Sequence, residues 1–265
     1  MIKSVRHTSW LALMVLFCAV AQANPLQGEH RTPEFAERDV WRHPAQTLAF
    51  FDVEPAMTVV EIWPGGGWYT EILAPLMQEG TFYAAHFPTG IGVKFYDLSR
   101  QRFEEKLLSL PKVYGKVKLS TFDPARGQLL TPEATADRVL TFRNVHNWLR
   151  TGSEQQAFNL LYQALKPGGI LGVVEHRAKE GTTRQAMLAS GYMTEAYVIE
   201  LAENAGFVLE AKSDINANPK DSADHPAGVW TLPPTLRLGS ENQEKYLAIG
   251  ESDRMTLKFK KPEAL

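Results

Sequence analysis

The constraint that shapes everything else in this chain is one short run, Met57 to Pro75, MTVVEIWPGGGWYTEILAP. Met57 to Trp63 is apolar and β-branched, which predicts a buried strand. Three consecutive glycines follow, Gly65, Gly66 and Gly67, and then Ile72, Leu73 and Leu76 at helical spacing. Pro75 must kink that helix or stand near its end. Glycine is costly to order, so three together need a backbone path that side chains would block. A strand, a glycine turn and a helix start bring backbone N–H groups toward an anionic group. A merely tight strand-to-helix turn is the plainer reading. The dinucleotide pattern G-x-G-x-x-G is excluded, because Tyr69 and Thr70 stand where its last glycine would fall.

The same alternation continues along the chain. Strands are expected at 81–87 (TFYAAHF), 116–122, 137–142 (DRVLTF), 170–175 (ILGVVE), 207–215 and 255–260, which with the first makes about seven. Helices are expected at 45–51, 68–77, 98–108, after Ser153 and at 194–204. Ser153 with Gln156 reads as a capping box, and Pro167-Gly168-Gly169 as a helix stop. Strands alternating with helices give a doubly wound α/β domain with a mostly parallel sheet. The last two strands lack a crossover helix between them, so the final strand is expected antiparallel. A long polar insert joins them. In such sheets, ligands bind beyond the carboxyl ends of the strands.

The first residues have a different character. Lys3 and Arg6 precede an apolar run from Trp10 to Val20, and Ala21-Gln22-Ala23 follows. That is the pattern of a secretory signal peptide spanning 1–23, with a retained membrane anchor as the alternative. Cleavage after Ala23 would remove the only cysteine, Cys18, and leave a core without disulfides. Loss of Lys3 and Arg6 takes the net charge from −2 to −4. An acidic chain lacks the basic footprint that nucleic acid requires. Residues 24–44 read as an extended polar arm before a domain over 45–265. The expected setting is periplasmic or secreted, with no membrane contact after cleavage.

VVEIWPGGGWYTEILAP resembles the first motif of the class I S-adenosylmethionine-dependent methyltransferases. The likeness continues in order through GTFYAAHF, STFDP, ADRVLTFRNVHNWL and LKPGGILGVVEHRA, and is strongest toward predicted bacterial methyltransferases that carry a signal peptide. It implies a Rossmann-like fold, S-adenosylmethionine as cofactor and a small-molecule substrate. Residue by residue, it puts Glu61 near the cofactor's amino group and Gly65, Gly66 and Gly67 in the loop beneath it. It sets Asp123 at the adenine amine and Asn144 beside the methyl donor. The chain departs from the pattern at Trp63, in place of the first loop glycine, and at His86, in place of the acid that holds the ribose hydroxyls. A neutral imidazole there can make one such bond without charge.

Methyl transfer needs alignment first, and a base only when the nucleophile carries a proton. His146 and His176, just past the fourth and fifth strands, are the candidate bases. Hydrogen-bonded structural histidines are the alternative. Arg143 and Arg177 flank them and could bind an anionic substrate. Trp63, Trp68, Tyr69 and Trp148 would wall the mouth or simply pack the core. The histidines show no close ligand spacing and no cysteine joins them, so no metal is expected. Two functions stay open: an exported methyltransferase, and a non-enzymatic ligand-binding module that has kept the fold.

Overall fold

The computed structural model describes residues 24–129 and 131–263; the expected signal peptide lies outside them. Eight strands form one sheet: β1 (Thr58–Ile62), β2 (Thr81–His86), β3 (Lys118–Asp123), β4 (Gln128–Leu129), β5 (Ala136–Phe142), β6 (Leu165–His176), β7 (Val208–Ser213) and β8 (Arg254–Lys260). Their order is β4-β3-β2-β1-β5-β6-β8-β7. Strands β3, β2, β1, β5 and β6 run parallel, and β8 is antiparallel to both β6 and β7. The two-residue β4, antiparallel to β3, is the one strand that the sequence did not announce.

The sheet is buried on both sides because successive residues of β1 serve opposite faces. Val60 and Ile62 pack with Trp148, Phe158, Leu161 and Leu201 of the helices Val145–Thr151, Glu154–Ala164 and Glu195–Asn204. Val59 packs with Leu48, Phe51, Ile72 and Leu73 of the helix Pro44–Phe50, the residue that follows it, and the helix Thr70–Leu76. Gly172 of β6 shows why the pattern needs a glycine inside a strand. A Cβ there would lie 2.8 Å from the Phe51 ring and 2.9 Å from Leu140.

Three local expectations are corrected. Residues 24–44 are not extended. They contain the short helices Pro33–Ala36 and Asp39–Arg42 and are tied down by Arg31, whose guanidinium pairs with Asp39 (2.9 Å) and the buried Glu71 (3.2 Å). Ser153 makes no cap with its side chain; its hydroxyl bonds the Thr151 hydroxyl at 2.7 Å instead. Pro167-Gly168-Gly169 lies within β6, because Leu165 already leaves the helix in extended conformation.

Chain order moves outward from β1 to β2 and β3, then returns to β5 on the other side of β1. The loops after β1 and β5 therefore diverge, and a crevice opens between them. Asn144 bridges the divergence by donating from Nδ2 to the Ile62 carbonyl (2.8 Å).

Candidate active site

A cavity of about 460 Å³ occupies this crevice. Its floor is Glu61 of β1, Gly65 and Gly66 after β1, and Asn144 after β5; Arg143 and His146, also after β5, and His176 at the end of β6 line it beside them. Arg38 and Arg42 come from the N-terminal helices, and Trp230, Glu251 and Ser252 from the insert between β7 and β8. That insert was legible only as a polar connection, yet it roofs the site.

The glycine turn is built on unusual backbone. Trp63, Gly65 and Gly67 all have positive φ (47°, 59° and 83°). A Cβ on Gly66 would stand 3.3 Å from the Phe35 ring, and one on Gly67 3.0 Å from Phe103. Gly67 thus faces away from the cavity, and its N–H closes a turn on the Pro64 carbonyl (2.9 Å). The helix that follows starts only at Thr70 and has seven residues, so its N-terminus lies beyond the glycines and not at them. Glu61 is buried in the floor and accepts the Thr70 hydroxyl at 2.6 Å. Burial pushes its carboxyl up to about 8, against the smaller opposing effect of that hydrogen bond.

Both ring nitrogens of His86 are engaged by the protein. The Phe87 N–H donates to Nδ1 (2.8 Å), which puts the proton on Nε2, and Nε2–H donates to the Gly65 carbonyl (3.1 Å). Burial lowers this imidazole to about 4, so it stays neutral and braces the glycine turn. Asp123 is equally committed: buried, it accepts the Arg126 N–H and pairs with the Arg126 guanidinium at 3.3 Å. Trp63 lines the cavity. Its indole N–H donates to the Phe122 carbonyl (2.9 Å), and its ring lies 4.7 Å from that of Phe87 and 5.9 Å from that of Trp148.

On the other side, the fold brings His146, Glu175 and His176 together, with ligand atoms within 4.8 Å of one another. Sequence spacing had argued against such a group, because it cannot show that β5 and β6 lie side by side. Glu175 is fully buried and accepts three bonds, from the His146 N–H (3.3 Å), the His176 N–H (2.8 Å) and His146 Nδ1–H (3.0 Å). His146 therefore presents Nε2, which has no protein partner among the described residues, at the cavity. His176 Nδ1 meets the Ser252 hydroxyl at 2.6 Å. Burial above all, then the neighbouring His146 ring and the charges of Arg143 and Arg254, push its imidazole well below the usual range. His176 is held neutral, which suits orientation better than proton exchange near pH 7.

Arg143 and Arg177 part company. Arg177 pairs with Asp253, Asp214 and Glu195, away from the cavity. Arg143 lines it. The residues missed from sequence are Arg38, Arg42, Glu175, Glu251, Arg254 and Trp230. Two signals were present: Arg38 and Arg42 are four apart, and Glu175 is a lone acid in an apolar strand.

No family model matches this sequence, and no curated protein does. Solved structures do match in shape. A S-adenosylmethionine-dependent methyltransferase from Aquifex aeolicus superposes with a TM-score of 0.58 at 15% identity, over 87% of this chain and 94% of that one. A putative sarcosine dimethylglycine methyltransferase from Galdieria sulphuraria gives 0.61 at 12% identity, over 88% of each. The [4+2]-cyclase SpnF also gives 0.61, at 14% identity, over 90% of this chain and 86% of that one. The chain has the class I methyltransferase fold. Of the residues assigned by resemblance in this methyltransferase-fold chain, Glu61, Gly65, Gly66 and Asn144 line the cavity. They fit the amino-acid part of S-adenosylmethionine, offering a carboxyl, a side-chain-free loop and a polar amide. On the nucleoside side neither His86 nor Asp123 lines the cavity, and Trp63 stands in its lining where the resemblance implies a loop glycine.

Proposed function

We propose that the protein is a S-adenosylmethionine-dependent methyltransferase acting on a small molecule. The observation that carries this reading is the partnership of His146 Nε2, oriented by Glu175, with a cavity floor of Glu61, Gly65, Gly66 and Asn144 at the switch point of this fold. Glu61, the glycine turn and Asn144 would hold the amino-acid part of the cofactor. When bound, S-adenosylmethionine supplies an electrophilic methyl group. His146 Nε2 takes the proton from the acceptor's nucleophilic atom. Glu175 keeps Nδ1–H donated and stabilises the imidazolium that forms. Trp230 and the rest of the insert exclude water above them. A nucleoside would need room beside Trp63, which packs against Phe87 and Phe122.

The packing of Trp63 favours a second reading, in which the crevice serves a ligand other than a nucleoside. The [4+2]-cyclase among the structural neighbours is an instance of other chemistry on a similar fold. Incubation with methyl-labelled S-adenosylmethionine and a small-molecule extract separates the two. Label appearing in a product, and lost with His146→Gln, supports methyl transfer. No transfer, with S-adenosylmethionine left intact, supports the second reading.

Export belongs to the same proposal. Lys3, Arg6, the apolar run and Ala21-Gln22-Ala23 support cleavage after Ala23 and a periplasmic or secreted product. No helix among the described residues is long and apolar enough to cross a membrane. Intact mass of the protein purified from its host should begin at Asn24; a soluble product beginning at Met1 would contradict it.

A further inference from the structure

One wall of the cavity carries more positive charge than the protein neutralises. Glu251, buried between the N-terminal helices and β8, accepts Arg38 Nε (2.5 Å), Arg42 Nε (3.1 Å) and Arg254 Nη1 (3.0 Å). The other two nitrogens of Arg254 donate to the Ser252 and Trp41 carbonyls, so each of its three nitrogens has an acceptor. Arg38 and Arg42 differ: Nη2 of each is buried without a partner, and Arg42 is only 3% exposed. Arg143 joins them from the loop after β5, with positive φ (61°) and with no side-chain hydrogen bond or ion pair among the described residues. Glu175 is occupied by its three N–H donors, and Glu61 by Thr70. A buried guanidinium edge left unpaired is costly, because it has lost water and gained no acceptor.

We propose that Arg38, Arg42 and Arg143 bind an oxyanion, a carboxylate or phosphate group of the acceptor, and so set its reactive atom beside His146. The forked donors of arginine match either group in bidentate fashion. The Arg42 guanidinium also lies 4.7 Å from the Trp68 ring, which fixes its plane. This deepens the methyl-transfer reading by naming the acceptor's chemistry, but the anion site stands on its own charges and needs no cofactor.

The test uses the full chain. Inorganic phosphate and acetate are titrated calorimetrically against wild type and Arg143→Gln, with sodium chloride at matched ionic strength as the control. Thermal melts are run in parallel. One anion at least should bind wild type with 1:1 stoichiometry and raise its Tm, and the tighter of the two identifies the group. Arg143→Gln should bind at least tenfold more weakly. Without anion it should melt at or above wild type, since it relieves repulsion and breaks no bond. Arg42→Lys, which keeps charge but not the fork, should bind more weakly if it melts as a folded protein. Equal binding by wild type and Arg143→Gln, or none beyond the chloride control, overturns the proposal. So does displacement of the anion by S-adenosylmethionine, which would give the site to the donor's own carboxylate. Absence of any heat with S-adenosylmethionine counts against the methyl-transfer reading alone and leaves anion binding as measured.

Discussion

Glu61 shows how one buried carboxyl ties the site to stability. Its pKa is about 8 in the folded chain, against an ordinary value near 4.5. Between those values the folded state holds a proton that the unfolded chain releases, so stability falls as pH rises through that window. Glu61→Gln should remove this slope and raise stability by on the order of 2–4 kcal/mol at pH 8, with little change at pH 4. Urea unfolding at both pH values checks this, and an unchanged slope would mean that the carboxyl is solvated in the folded state. The charge on Glu251 works in the opposite sense. Burial alone would raise its carboxyl, but Arg42, Arg254, Arg143 and Arg38 outweigh that and bring it to about 2. Its contribution is present above pH 4.5 and is lost as pH falls toward 2. Glu251→Gln leaves three arginines without their shared acceptor and should cost about 3–5 kcal/mol, as removal of one partner from a buried ion pair does.

At the scale of elements, the turn from β1 to the helix Thr70–Leu76 decides what the crevice accepts. Trp63→Gly would restore a residue at ease with the positive φ and remove the indole from the nucleoside side. The variant should lose about 3–5 kcal/mol of stability with the buried ring, yet bind S-adenosylmethionine at least tenfold more tightly. Paired melts and titrations would show the two quantities moving in opposite directions; a joint fall would assign Trp63 to the site itself. Gly172 makes the complementary test inside β6. Gly172→Ala would press a methyl into Phe51 and Leu140 and should cost about 1–3 kcal/mol, read as a lower urea midpoint. The strands around these positions were legible because β-branched runs such as TVVEI and ADRVLTF suit burial on two faces. Helices were less so: the one expected at 45–51 is found at Pro44–Phe50, whereas Arg38 and Arg42 cap and end the helix Asp39–Arg42, whose four residues are too few for any periodicity to register. The partners of His86 were not legible for a related reason. Position at a strand end was readable, but the direction of its two nitrogens, toward Gly65 and Phe87, depends on a turn packed from elsewhere.

At the scale of the whole molecule, the site is assembled from both ends of the chain. Glu251 and Arg254 hold Arg38, Arg42 and the Trp41 carbonyl, so the N-terminal helices and β8 close one wall together. Sequence order made the sheet and its switch point predictable, and with them the four floor residues. It could not show that a polar insert would bring Glu251, 213 residues from Arg38, to meet it beside the cavity, since that contact depends on tertiary packing and not on any local pattern. The proposed account combines a cavity floor that would hold an amino-acid moiety, a base at Nε2 of His146, and a guanidinium wall beside it. The measurement that bears on this most directly is calorimetric titration of the full chain with S-adenosylmethionine and with its demethylated product. Saturable 1:1 binding of both is predicted, weakened in Gly66→Val, whose side chain would crowd Phe35 beneath the turn, and strengthened in Trp63→Gly. No heat with either compound, in wild type and in a folded Trp63→Gly variant alike, would contradict the account.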